Sequence, residues 1–146
     1  MTRAARAGEA GPLSALALRS KAHWGYDEAF LEACREELAV AEADIAAGLV
    51  AVAEDAGAVL GFATVRLEAP AELEALFVDP AVMGKGAGRA LVAWARETAR
   101  AAGVASLLVE SDPNAEPFYL RHGAVRIGER TSPSTGRALP LLRLAT

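Results

Sequence analysis

At Gly86 the hydrophobic rhythm of this chain changes, and that change constrains the fold more than any other feature. "AELEALFVDP" (71–80) reads as an extended run that stops at Pro80. From Gly86 onward, Ala87, Ala90, Leu91, Trp94 and Thr98 recur on one helical face, with Arg89, Arg96 and Arg100 on another. Between strand and helix stand Gly84, Gly86 and Gly88 at alternate positions, with Lys85 among them. A helix that starts there leaves its first N–H groups without intrahelical partners, at the positive end of the macrodipole. Two readings stay open. Either the glycines serve only a tight turn and close packing, or they let an anion reach bare amides beside Lys85 and Arg89. Two nucleotide motifs fail here: Gly86, not Ser or Thr, follows Lys85, and Arg89 falls where a Gly-x-Gly-x-x-Gly pattern needs its last glycine.

The flanking segments predict a mixed α/β (α+β) sheet with helices covering it. "EAGPLSALALRS" (9–20) and "DEAFLEACREELAV" (27–40) carry helical apolar spacing, the second with acids at its start. "LVAVAED" (49–55) and "AVLGFATVRLE" (58–68), joined at Ala56-Gly57, predict a hairpin. After the helix that Gly103 ends, "ASLLVES" (105–111) is a short apolar run suited to a strand buried on both faces. "NAEPFYLRHG" (114–123) predicts a short helix, with "AVRIGERT" (124–131) and "ALPLLRLA" (138–145) as closing strands. The polar loop 131–140 between them reads as a flexible turn that could also reach a substrate pocket or a second copy of the chain.

A length of 146 residues without repeat or linker predicts a single domain, 1–146. Hydrophobic content of 53% and charged content of 23% exclude a disordered chain, and no apolar run is long enough for a membrane span. No secretory h-region is visible, and Cys34 is the only cysteine, which together predict a cytoplasmic protein with no disulfide and no cysteine-rich metal site. Two histidines, His23 and His122, add no metal site. A net charge of −4 speaks against nucleic acid as the main partner.

"LFVDPAVMGKGAGRALV" (76–92) resembles the acetyl-CoA-binding segment of the GNAT superfamily of N-acetyltransferases, Gln/Arg-x-x-Gly-x-Gly/Ala before a helix. Met83 takes the Gln/Arg place, Gly86 the first glycine and Gly88 the second. "ESDPNAEPFYLRHGAVRIGE" (110–129) resembles the family's second block, Asn-x-x-x-x-Phe-Tyr-x-x-x-Gly, so the likeness covers roughly residues 9 to 145. It implies a GNAT-like, mostly antiparallel sheet with a V-shaped splay between strands 72–79 and 106–111. Met83 departs from the pattern, since its side chain cannot donate the hydrogen bond of Gln or Arg. The N-terminal "TRAARAGEA" lacks β-branched residues, which predicts a short or frayed first strand.

The resemblance implies a chemistry and its residues. Acetyl-CoA is the co-substrate, with no metal; pantetheine lies along the backbone of Leu76, Phe77 and Val78, and the diphosphate lies on residues 83–89 (Met83, Gly84, Lys85, Gly86, Ala87, Gly88 and Arg89). An N–H near Phe77 or Val78 stabilises the oxyanion. Tyr119 matches the general acid, with Phe118 beside it; Asn114 matches a cofactor contact and is also a candidate helix cap. A base is needed because a lysine-like amine is mostly protonated at neutral pH. Glu72 and Glu74, alternating along one strand face, are the candidates and Glu110 a third, against the plainer reading of a solvated face. His23, Trp24 and Tyr26 fall where the family lines its acceptor pocket, and are equally readable as core or staple residues. The expected function is direct acetyl transfer to a primary amine of a small molecule or protein, with homodimers common in the family. The alternatives are a non-catalytic acyl-CoA-binding or regulatory domain of the same fold, and a partner-binding α/β module.

Overall fold

The computed structural model describes residues 1–146. Seven strands form one sheet: β1 (Thr2–Ala4), β2 (Val50–Asp55), β3 (Ala58–Arg66), β4 (Glu72–Val78), β5 (Ser106–Glu110), β6 (Val125–Thr131) and β7 (Ala138–Ala145). Their spatial order is β1-β2-β3-β4-β5-β7-β6, antiparallel throughout except for β4 beside β5. Helix α4 (Ala87–Ala101) makes that one parallel crossover. Helices α1 (Ala10–Ala22), α2 (Glu28–Cys34), α3 (Glu42–Ala46) and α5 (Glu116–Arg121) complete the chain. No helix is long and apolar enough to cross a membrane.

Alternation along the strands feeds two cores. Ala51, Ala53, Ala63 and Val65 point to the face that α4 covers with Leu91, Val92, Ala95 and Ala99. Val50, Val52 and Phe62 point the other way, against Leu13, Leu16 and Ala17 of α1. Phe62 is wholly buried, and truncating such a ring costs about 3–5 kcal/mol. Arg96, on the polar face of α4, bonds the carbonyls of His122 and Ala145 and so fastens that helix to α5 and β7.

Three sequence expectations need correction. The helix expected over 27–40 ends at Cys34: Asp27 caps it through the Phe30 amide (2.8 Å), but the Val40 amide donates to Ser14 Oγ (2.8 Å), which draws the chain toward α1. Helix α3, unread in the sequence, occupies part of the gap before β2. Asn114 does not cap α5, because that helix begins at Glu116 with Ala115 at the cap. The first strand is short, as its composition implies, with three residues.

Two features of β4 shape the cleft beside it. Opposite Thr64 and Val65 the ladder skips one residue, so Glu74 has no partner on β3 and forms a bulge. Beyond it β4 and β5 part. They meet only where Glu72 pairs with Leu108 and the Leu108 amide reaches the Ala71 carbonyl (2.9 Å). The sheet is split into a V.

Candidate active site

The V opens into a cleft of about 540 Å³, lined by Leu76, Phe77 and Val78 of β4, by the turn into α4, by α5, and by Ser20, Lys21 and Trp24 at the end of α1. Asp79 N donates to Leu60 O (2.8 Å), which sets the alternation of the β3–β4 ladder. Phe77 therefore turns its main-chain groups to β3, and Leu76 and Val78 turn theirs to the open side.

The glycine turn has a division of labour. Gly84 (φ +85°) and Gly86 (φ +82°) hold left-handed backbone that a side chain would strain. Gly88 has ordinary backbone, but a Cβ there would lie 3.0 Å from two ring carbons of Phe118. The outcome is a row of free donors: no backbone N–H from Gly84 to Arg89 reaches a protein acceptor, and the first helical bond is Ala90 N to Gly86 O (3.1 Å). Arg89, Arg121 and His122 line the same end of the cleft, whereas Lys85 does not. Burial holds the His122 pKa below the usual imidazole value, with Arg96, Arg121 and Arg89 adding to the effect. Bare amides, a helix start and clustered arginines suit a diphosphate, so these residues fit coenzyme A.

Tyr119 sits in the cleft wall, 6% exposed, edge-on to Phe118. Burial alone pushes its phenol pKa well above the usual value, and no protein group hydrogen-bonds the hydroxyl. Met83, Ala87 and Asn114 also line the cleft. The Asn114 amide donates to Asp112 Oδ1 (2.9 Å) and to Tyr26 Oη (3.2 Å).

The expected acceptor residues are scattered. Trp24 lines the cleft, while His23 is exposed and lies edge-on to Trp24 outside it. Tyr26 is also outside. Its ring stacks on Phe30, and its hydroxyl is held by Asp112 (2.9 Å) and Arg137 (3.0 Å). That makes it a structural strut, consistent with the plainer reading of an aromatic between helices.

The three carboxylates also differ. Glu72 is tied to Arg130 (3.0 Å) and Arg66 (3.4 Å), and Glu110 to Arg130 (3.3 Å). Glu74 has only Arg66 at 3.5 Å and keeps 38% of its side chain accessible. Burial raises its pKa, Arg66 opposes this, and Glu72 and Asp44 reinforce it. Glu74 lines a second cavity, which shares Phe77 with the cleft. Sequence reasoning missed Lys21, Asp112 and Thr64. Thr64 carried a readable signal, as a hydroxyl inside the otherwise apolar run of β3.

A family model described as an acetyltransferase (GNAT) domain matches residues 10–140. No protein of curated function matches the chain by sequence. Among solved structures, a GCN5-related N-acetyltransferase from Rhodopseudomonas palustris is 25% identical with a TM-score of 0.82, over 100% of this chain and 95% of that one. PaiA N-acetyltransferase from Thermoplasma acidophilum, solved with coenzyme A, shares the fold at 18% identity and TM-score 0.76, over 100% and 98% of the two chains. The ribosomal-protein-S18-alanine N-acetyltransferase from Escherichia coli does so at 20% and 0.70, over 99% and 92%. With its splayed sheet, its open amide turn and a family match over most of its length, this chain belongs to the GNAT acetyltransferase family.

Proposed function

We propose that this chain is an acetyl-CoA-dependent N-acetyltransferase that moves the acetyl group directly to a primary amine. The observation that carries the reading is the row of unpartnered N–H groups from Gly84 to Arg89, at a cleft also lined by the free hydroxyl of Tyr119.

Acetyl-CoA supplies the acetyl group as a thioester. In the transfer a nitrogen–carbon bond forms and the carbon–sulfur bond breaks; one proton leaves the nitrogen and one reaches the sulfur. Tyr119 is the donor to sulfur, since its buried phenol stays protonated at any working pH. Glu74 is the acceptor from nitrogen, being the carboxylate least tied by arginine and the one facing the second cavity. The open-side N–H groups of Leu76 and Val78 orient the pantetheine and the carbonyl oxygen. The α4 amides with Arg89 and Arg121 hold the diphosphate. Relatives bear the names of N-acetyltransferases with protein acceptors, which supports an amine as the acceptor.

Calorimetry tests the reading. Acetyl-CoA should bind saturably, and Gly86→Glu should abolish binding by placing a Cβ at φ +82° and a negative charge at the amides. Absence of heat with the unmodified chain overturns it. The double arginine pairing of Glu72, at the family's usual base position, favours a second reading: a non-catalytic acyl-CoA-binding domain. That domain would bind acetyl-CoA and release no thiol across a panel of amines.

A further inference from the structure

The second cavity, about 180 Å³, lies between the segment after α2, α3 and the bulge of β4. Three carboxylates line it, Glu37, Asp44 and Glu74, and no cation does. Thr64 lines it as well. Thr64 is 7% exposed, and its Oγ1 is buried with no hydrogen-bond partner in the protein. A buried hydroxyl without a protein partner is costly, by about 1–3 kcal/mol, and this one calls for a partner from outside the protein, a water or a ligand.

The surroundings leave the negative charge largely uncompensated. Arg66 reaches Glu74 only at 3.5 Å and spends its other donors on the Pro70 carbonyl (2.8 and 3.2 Å) and Glu72. Glu37 accepts from Ser134 Oγ (2.7 Å), a neutral donor. No set of three such side chains is arranged to hold a metal ion. The volume equals about six waters at ~30 Å³ each, enough for a short aliphatic chain. Phe77 lines both this cavity and the cleft, so the two approach each other at that residue.

We propose that this cavity is the acceptor site and that its substrate class is a small doubly cationic amine, an aliphatic diamine. Glu37 and Asp44 hold the distal ammonium, Thr64 Oγ1 accepts a hydrogen bond from the ligand, and Glu74 faces the amine that is acetylated. This rests on the transferase reading for the fate of the ligand, but not for its binding.

The test is calorimetry on the whole chain, with and without coenzyme A, comparing 1,4-diaminobutane, 1-aminobutane and glutamate. The diamine is expected to bind at least 10-fold more tightly than the monoamine, with glutamate giving no heat. Asp44→Asn should weaken diamine binding at least 10-fold. Thr64→Val should weaken it several-fold while leaving the melting temperature unchanged or higher, because the hydroxyl it removes bonds nothing in the free protein. Equal affinity for diamine and monoamine, preference for glutamate, or unchanged diamine affinity in both variants overturns the proposal. Diamine binding without thiol release from acetyl-CoA would leave a diamine-binding site but overturn its acceptor role, whereas thiol release with other amines would keep the transferase reading standing.

Discussion

Tyr119 and Glu74 are asked to do opposite things, and their surroundings push them accordingly. The phenol is enclosed by apolar groups with no cation near enough to lower its pKa, so it holds its proton until the leaving sulfur needs one. Tyr119→Phe removes that proton and nothing else, because the hydroxyl makes no bond in the free protein. Acetyl-CoA affinity should persist while turnover falls about 10²-fold or more, as read by single-turnover thiol release. Unchanged turnover takes Tyr119 out of the mechanism. Glu74 must be ionised to accept a proton, and its raised pKa places that ionisation above the ordinary value of about 4.3. kcat/KM should therefore rise with pH through an inflection displaced upward, and Glu74→Gln should flatten the limb and lower the rate. The stability sign is the reverse of the usual acidic residue. A carboxyl that ionises later in the folded state loses stability as pH rises between the unfolded and folded values. Glu74→Gln should then cost activity without costing stability at pH 7, as checked by urea unfolding.

At the scale of elements, the turn into α4 is built from three glycines of two kinds, and only one kind could be inferred from the sequence. Left-handed backbone at Gly84 and Gly86 arises where a strand must become a helix within a few residues. The role of Gly88 depends on Phe118, thirty residues later, whose ring stands where a side chain would go. Gly88→Val should displace that ring and α5 with it, at about 1–3 kcal/mol of stability by overpacking, and should weaken acetyl-CoA binding through the shifted cleft wall. Thermal unfolding and calorimetry read the two effects. Unaltered binding would separate α5 from the cofactor site. The same distinction runs through the whole chain. Hairpin β2–β3, helix α4 and the closing strands were legible because each has its own periodicity and turn residues. The early stop of α2 was not, because three-residue spacing interrupts the bonding after Cys34 (Arg35 N to Glu32 O, Ala39 N to Glu36 O, 3.2 Å each) before a serine on α1 takes the Val40 amide. Glu72 and Glu74 look alike along the strand and share Arg66, and only the bulge and the distant Arg130 tell them apart.

For the molecule as a whole, one carboxylate gathers segments that no local pattern connects. Asp112, at the end of β5, bonds Lys21 of α1 at 2.8 Å and Tyr26 before α2 at 2.9 Å, with Arg137 of the β6–β7 loop at 3.7 Å. Lys21 is 9% exposed, so its ammonium has exchanged water for this partner. The guanidinium of Arg137 also lies over the rings of Tyr26 and Phe30. Lys21 and Asp112 line the cleft, so the network ties Tyr26 and the β6–β7 loop to the cleft wall from outside. Burial alone would raise the Asp112 pKa. The Lys21 pair, the Asn114 amide and the Tyr26 hydroxyl together outweigh it and hold the carboxyl below its usual range. Because the folded pKa is depressed, the stabilisation is present above the unfolded value of about 3.9 and is lost as pH falls through the folded one. Asp112→Asn keeps the shape and removes the charge, leaving a buried ammonium without its counter-ion. We expect a loss of about 3 kcal/mol at pH 7, or roughly 6–12 °C in melting temperature for a chain of this size. The gap between variant and parent should stay constant from neutral pH down to about 4 and close below it. A gap under about 0.5 kcal/mol, or one that persists in acid, would mean that the segments are held by packing alone and that Asp112 is a bystander.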